Sequence, residues 1–153
     1  ENRITNLEGG VASSACASGM ATLMNAFLNI LRSGNEIVSS ASLYGGTIDL
    51  FTDLEAFGIT TRYVENNNWE QIEGAINEHT RLVFAETIGN PCLDVTDIEK
   101  LAEIAHAHEL PLIVDNTTST PYLIQVLKHG ADIVVNSSSK YLFVGICSKN
   151  RTL

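Results

Sequence analysis

Ala131-Asp132-Ile133-Val134-Val135-Asn136-Ser137-Ser138-Ser139-Lys140-Tyr141 is the stretch from which the rest of the chain can be read. Ile133 to Val135 is a short apolar run of the kind that forms a buried strand. It gives way at once to Asn136, three serines and a lysine. Hydroxyls clustered beside one amine, at the end of a core strand, suit an anion and an electrophile together. Ser137 and Ser139 would donate hydrogen bonds to the anion. Lys140, if partly desolvated, would condense as a neutral amine with a carbonyl to form a Schiff base. One ligand with both features is an aldehyde that carries a phosphate. Taken alone the string also fits a Ser-rich loop with a solvated lysine, so the other segments have to decide.

The chain has 153 residues, 44% of them hydrophobic and 18% charged, enough for one domain with a real core. The formal net charge of -9 argues against nucleic acid or an anionic membrane surface as a partner. No apolar run approaches the roughly 20 residues of a membrane span, and no charged-then-apolar leader is present. Cys16, Cys92 and Cys147 are odd in number and widely spaced, as expected of reduced cysteines in a cytoplasmic protein.

Read in order, polar residues 1–8 continue an element that Gly9-Gly10 breaks. Ser18-Gly19-Met20 opens a helix with Met24, Phe27, Leu28 and Leu31 on one face, ended by Gly34. A helix start at glycine presents bare N–H groups, an anion site, although a plain serine cap reads the same way. A strand over 36–39 leads to Tyr44-Gly45-Gly46-Thr47 and a second helix with Leu50, Leu54 and Phe57 inward, stopped by Gly58. Thr60 to Val64 is a β-branched strand. A helix with Trp69, Ile72 and Ile76 inward follows, with Trp69 as a core anchor. Arg81 to Ala85 is the next strand. Thr96 and Glu99 have the spacing of a capping box before a helix burying Ile98, Leu101, Ala102 and Ala105. Leu112-Ile113-Val114 is a buried strand, Pro121 starts a short helix through Lys128, and Gly130 leads into the lysine strand.

Strands that alternate with helices, each short and apolar on both sides, predict an α/β fold: a mostly parallel sheet with helices on both faces. Ligands of such sheets sit beyond the carboxyl ends of the strands. Tyr44, Asn90, Asp115 and the segment from Ser137 to Lys140 each follow a strand, so four ends converge on one edge. Asp115 follows three aliphatic residues and needs a charged or hydrogen-bonded partner. A protonated pyridine nitrogen would serve, and so would a role capping the next turn. Tyr44 could stack on a planar ring or pack on the sheet. Asn90 could bond a ring oxygen or form the turn before Pro91. The aldehyde with a phosphate and a pyridine ring is pyridoxal phosphate. A metal is not expected. His106 and His108 are two apart on a helix and do not share a face, and His79 and His129 sit near helix ends, where a positive imidazole is favourable. No GxGxxG, P-loop, HExxH or GxSxG pattern occurs.

Ser18-Gly19-Met20, Tyr44-Gly45-Gly46-Thr47, Glu86-Thr87-Ile88-Gly89-Asn90-Pro91, Val114-Asp115-Asn116-Thr117 and Ser137-Ser138-Ser139-Lys140-Tyr141 come in an order and spacing that resemble the Cys/Met-metabolism family. These are pyridoxal-phosphate enzymes of fold type I, with an aspartate-aminotransferase-like large domain. The resemblance covers residues 5–142, and the wording from Glu86 to Asp97 is most similar to the family's O-acetylhomoserine sulfhydrylase branch. It implies that residues 1–153 form the cofactor-binding large domain, truncated at both ends, with 142–153 an atypical tail.

The resemblance further implies that Lys140 holds the cofactor as a Schiff base and shuttles protons, with Tyr44 as its partner in proton transfer. Asp115 would bind the pyridine nitrogen, and Tyr44 would stack on the ring. Ser18, Gly19, Met20, Ser137 and Ser139 would form the phosphate site. Asn90 would face the ring's phenolic oxygen, and Thr117 the ring's other face. The implied reaction is γ-replacement on an O-acylated homoserine by sulfide or a thiol. Alternatives are methionine γ-lyase or cystathionine γ-synthase chemistry, or a non-catalytic fragment that binds cofactor. Family members are homo-oligomers with shared sites. Their N-terminal segment and the C-terminal domain with the substrate-carboxylate arginine are expected to be missing here. Asn136 stands where a histidine is common.

Overall fold

The computed structural model describes residues 1–144. Cys147 and most of the stretch read as an atypical tail, residues 145–153, lie outside the described residues. Five strands form one sheet: β1 (Glu36–Ser40), β2 (Thr60–Val64), β3 (Thr80–Glu86), β4 (Leu112–Asp115) and β5 (Ile133–Val135). Their order is β2-β1-β3-β4-β5, and every pairing is parallel. The expected class is therefore present. Seven helices accompany the sheet among the described residues: α1 (Asn2–Glu8), α2 (Gly19–Ile30), α3 (Gly45–Glu55), α4 (Trp69–Ala75), α5 (Ile98–Ala107), α6 (Thr120–Leu123) and α7 (Tyr141–Val144).

The unbroken apolar strands have a simple cause. Successive side chains of a strand point to opposite faces, and here both faces are covered. Ile37, Leu82, Phe84 and Ile113 face the layer of α2 and α3, while Val38, Val83, Ala85 and Val114 face that of α4 and α5. On the first face Phe84 stands edge-on to Phe27 of α2 and Phe51 of α3, with centroids 5.3 and 5.5 Å apart. Such pairs add specificity to area burial. β2 is an edge strand and mostly exposed, unlike the two-sided burial expected of it.

Four local expectations are corrected. In α2 the buried residues are Leu23 and Phe27, with Leu31 as the C-cap, whereas Leu28 is exposed and Met24 only half-buried. The helix is apolar on most of its surface, so packing against the sheet chooses the stripe. Phe57 lies beyond the end of α3 and is exposed; Phe51 takes the inward place. Asp97, not Thr96, caps α5, its side chain accepting the Lys100 N–H at 3.1 Å. Thr96 is engaged elsewhere, donating its hydroxyl to the Glu86 carbonyl at 2.7 Å. The helix expected from Pro121 to Lys128 is two pieces, α6 and a 3-10 turn at Val126–His129.

Candidate functional site

The site is assembled where strands stop. With order β2-β1-β3-β4-β5 the connections reverse between β1 and β3, the kind of crevice that takes ligands in open parallel sheets. In the β3–β4 register Glu86 pairs with Asp115, and in the β4–β5 register Asp115 pairs with Val135. Three strand ends therefore stand side by side, with Ser137 to Lys140 just beyond the last.

α2 begins over the same edge. Ser18 is its N-cap, and its Oγ accepts the Ala21 N–H at 3.1 Å. The N–H groups of Gly19 and Met20, in the first turn, have no intrahelical acceptor and point outward. Gly19 lies directly against the β5 end: a Cβ there would meet Ser137 Cβ at 3.0 Å and Ser137 Oγ at 3.3 Å. Ser137 Oγ in turn lies 3.0 Å from Ser139 Oγ. Two helix-start amides and two hydroxyls thus border one small cup, and the absence of a side chain on Gly19 keeps it open.

A chain of hydrogen bonds ties this cup to Asp115. Ser137 N–H donates to Thr117 Oγ1 at 2.8 Å, and Thr117 N–H donates to Asp115 Oδ1 at 2.8 Å. Burial raises the Asp115 pKa above the ordinary carboxylate value, against the pull of the Thr117 donors. A carboxylate held in this way gains from a cationic N–H partner.

Tyr44, the N-cap of α3, is half-exposed, and its ring lies so close over Gly46 that a Cβ there would meet Cε1 at 2.5 Å. Glu86, to which the sequence assigned no role, is buried under this loop and accepts the Tyr44 N–H at 2.9 Å and the Thr47 hydroxyl at 3.2 Å. Its pKa is pushed up to about 7, first by burial and then by the Asp115 charge, with the Tyr44 and Thr47 donors opposing. The only signal in the sequence was that a carboxylate ends an apolar strand, as Asp115 does.

Lys140 follows in a turn, its N–H donating to the Ser137 carbonyl at 3.3 Å. Lys140 is exposed. Asn90 is exposed in the loop after β3, and among the described residues no side-chain hydrogen bond joins it to the Asp115 network. The β3 loop is nevertheless held to the Tyr44 side, because Ser42 Oγ bonds Asp94 and a Cβ on Gly89 would meet Ser42 Oγ at 2.1 Å. A second polar cluster went unpredicted. Buried Glu8 accepts from Asn136 Nδ2 at 2.6 Å and Asn116 Nδ2 at 3.3 Å, tying α1 beneath the two site strands.

No group of three or more metal-ligating side chains exists among the described residues. His106 and His129 instead bond Asp132 and Glu99, at 2.9 and 2.7 Å. The features present fit a phosphorylated pyridine aldehyde: an anion cup kept open by Gly19, the Asp115 carboxylate at a strand end, an exposed aromatic and an amine.

These features describe a parallel α/β domain whose polar strand ends suit a phosphate-bearing heteroaromatic cofactor. Residues 1–145 match the family described as "Cys/Met metabolism PLP-dependent enzyme". The chain belongs to that family, whose cofactor is pyridoxal phosphate. It is 48% identical over 143 residues to the O-acetyl-L-homoserine sulfhydrylase of Leptospira meyeri, covering 93% of this chain and 32% of that protein. It is 44% identical to the homocysteine/cysteine synthase of Saccharomyces cerevisiae, again covering 93% of this chain and 32% of the relative. Among solved structures, a putative O-acetylhomoserine (thiol)-lyase of Campylobacter jejuni superposes with a TM-score of 0.90 at 39% identity, covering 92% of this chain and 35% of that one. That structure carries an N'-pyridoxyl-lysine-5'-monophosphate. The chain thus spans about a third of the length of these curated relatives.

Proposed function

We propose that this chain is the pyridoxal-phosphate-binding large domain of an enzyme that replaces the γ-substituent of an O-acylated homoserine, with sulfide or a thiol giving homocysteine or methionine. The observation that carries this reading is the continuous line Asp115–Thr117–Ser137–Ser139, which joins a ring-nitrogen partner to a phosphate cup one turn before Lys140. Bound there, pyridoxal phosphate supplies an electron sink for carbanions next to the substrate's amine-bearing carbon.

The chain's residues then divide the work. Gly19 and Met20 N–H groups and the Ser137 and Ser139 hydroxyls bind the phosphate, with Ser18 fixing the helix start. Asp115 would accept from the ring nitrogen, and Thr117 would lie against the ring on the side away from Tyr44. Asn90 serves the ring's phenolic oxygen. Lys140 Nζ would hold the cofactor's aldehyde carbon and would carry protons between substrate carbons, with the Tyr44 phenol as its partner. The exposed Lys140 would have to lose water to do so, and a ring held against Tyr44 would shield it. The amino-acid substrate, the sulfur donor, assembly as a homo-oligomer and action in the cytoplasm belong to the same proposal.

The test begins with titration of the purified chain with pyridoxal phosphate, followed by visible absorbance, then borohydride and mass mapping. The expected result is a reducible adduct on Lys140 that Lys140→Ala lacks; an undiminished adduct in that variant overturns the assignment. Product analysis of the loaded protein with O-acetylhomoserine then decides the reaction. Homocysteine formed only with sulfide supports replacement, and 2-oxobutyrate formed without sulfide replaces it with elimination.

A further inference from the structure

We propose that Glu86 is a positioning residue that sets Tyr44 over the site by capping α3 from the neighbouring strand. The inference rests on the reading of Tyr44 as the residue that stacks on the cofactor, and extends it to a side chain that touches no ligand.

A helix start leaves N–H groups without intrahelical acceptors, and a capping side chain normally supplies one. α3 has none of its own. Its N-cap is Tyr44, whose side chain makes no capping bond. Glu86 takes that place from β3, more than forty residues further on, Oε1 accepting the Tyr44 N–H at 2.9 Å and the Thr47 hydroxyl at 3.2 Å. A carboxylate at a helix N-terminus is favoured by the helix dipole and makes strong, directed bonds.

Both ends of the link are rigid. Glu86 is 7% exposed, and its own carbonyl accepts the Thr96 hydroxyl at 2.7 Å. Thr47 is 1% exposed. On the α3 side the Tyr44 ring rests against the backbone of Gly46, within the first turn that Glu86 secures. Wherever that turn moves, the ring moves with it. A buried carboxylate pushed up to about 7 is costly to keep, and fold stability alone would favour an apolar residue at this strand end. What the carboxyl group provides there is an acceptor for two donors of the Tyr44 loop.

The experiment uses the pyridoxal-phosphate-loaded protein and reads cofactor affinity together with the visible circular dichroism of the bound cofactor, which reports how the ring is held. Glu86→Ala should weaken cofactor binding about fivefold, the usual weight of one lost cap, and reduce the visible dichroism. Glu86→Gln keeps a neutral acceptor for both donors and should restore affinity to within about twofold. Thr47→Val removes one of the two bonds and should shift the dichroism the same way, by less, even if Glu86→Ala does not fold. In a Tyr44→Ala background the Glu86→Ala effect should vanish, because the residue through which it acts is gone.

A Glu86→Ala effect that persists undiminished without Tyr44 overturns the inference, as does a Glu86→Gln variant no better than Glu86→Ala, or an unaltered dichroism in folded Thr47→Val. If Tyr44→Ala alone leaves affinity and dichroism untouched, the stacking reading fails, and the positioning role falls with it. If Tyr44→Ala matters and folded Glu86→Ala does not, only the positioning role falls.

Discussion

Gly19 and Ser137 touch across the site, 118 residues apart in sequence, with room for a hydrogen but not for a methyl group: a Cβ on Gly19 would stand 3.0 Å from Ser137 Cβ. The contact joins the start of α2 to the end of β5. Gly19→Ala forces the cup open by a few tenths of an ångström while sitting at a helix position that tolerates alanine. The expected result is pyridoxal phosphate affinity lowered about tenfold, or about 1.4 kcal/mol, with a melting temperature within a few degrees of the parent. Equilibrium dialysis and thermal melts of the same preparation check both halves.

Asp115 is held in a state that serves a ligand better than it serves the fold. Its pKa is raised by burial against the pull of the Thr117 donors, of which the N–H bonds Oδ1 at 2.8 Å. Asp115→Asn keeps an acceptor for that N–H and removes the buried charge. The cofactor-free protein should be as stable as the parent or more so at pH 8. Cofactor affinity should nevertheless fall at least tenfold, because a neutral amide cannot hold a protonated ring nitrogen as a carboxylate does. Urea unfolding without cofactor and a binding titration give the two numbers, and a loss of stability in the first contradicts the argument.

The carboxyl ends of the strands were legible in the sequence because apolar runs stop at polar residues: Ser40, Glu86, Asp115 and Asn136. Parallel strands buried on both faces read as unbroken apolar runs, so Ile113 and Val114 could be assigned to a strand without knowing which face each takes. Helix detail was less legible. Met20, Leu23, Met24, Phe27, Leu28 and Leu31 surround most of α2, and only the contact with Phe51 and Phe84 selects Leu23 and Phe27. Thr96 and Asp97 are both good caps, and the choice fell to Asp97 because the Glu86 carbonyl claims Thr96. The Glu86 side chain was silent for the same reason, since its partners Tyr44 and Thr47 are remote in sequence.

Glu86 gives the stability of the cofactor-free chain a definite pH dependence. Its pKa is about 7 in the fold against an unfolded value of 4.5, so between those values the folded state binds the proton and the unfolded chain has lost it. The contribution is fully present below about pH 4.5 and is lost as pH rises through 7, about 3 kcal/mol over the whole interval. Asp115 and Glu8, also raised by burial, act with the same sign. Unfolding free energies measured from pH 5.5 to pH 8 should fall with pH, and Glu86→Gln should flatten the curve. A parent profile that rises over this range would contradict the burial argument.

Gly130 carries the turn from the Val126–His129 segment into β5 under two separate constraints. Its φ is +99°, a conformation that side chains rarely adopt, and a Cβ there would meet the Ala102 Cβ of α5 at 2.6 Å. Gly130→Ala therefore both strains the backbone and overpacks the helix beneath the lysine strand, and should cost roughly 2–4 kcal/mol. Ala102→Gly alone should cost about 1 kcal/mol as a helix-interior glycine. Combined, the two changes should be less destabilising than their sum, because the methyl–methyl clash exists only when both side chains are present. The part that remains is the cost of the backbone conformation. Additive losses in chemical denaturation would show that α5 moves freely away from Gly130, and the clash would then have no part in placing Lys140.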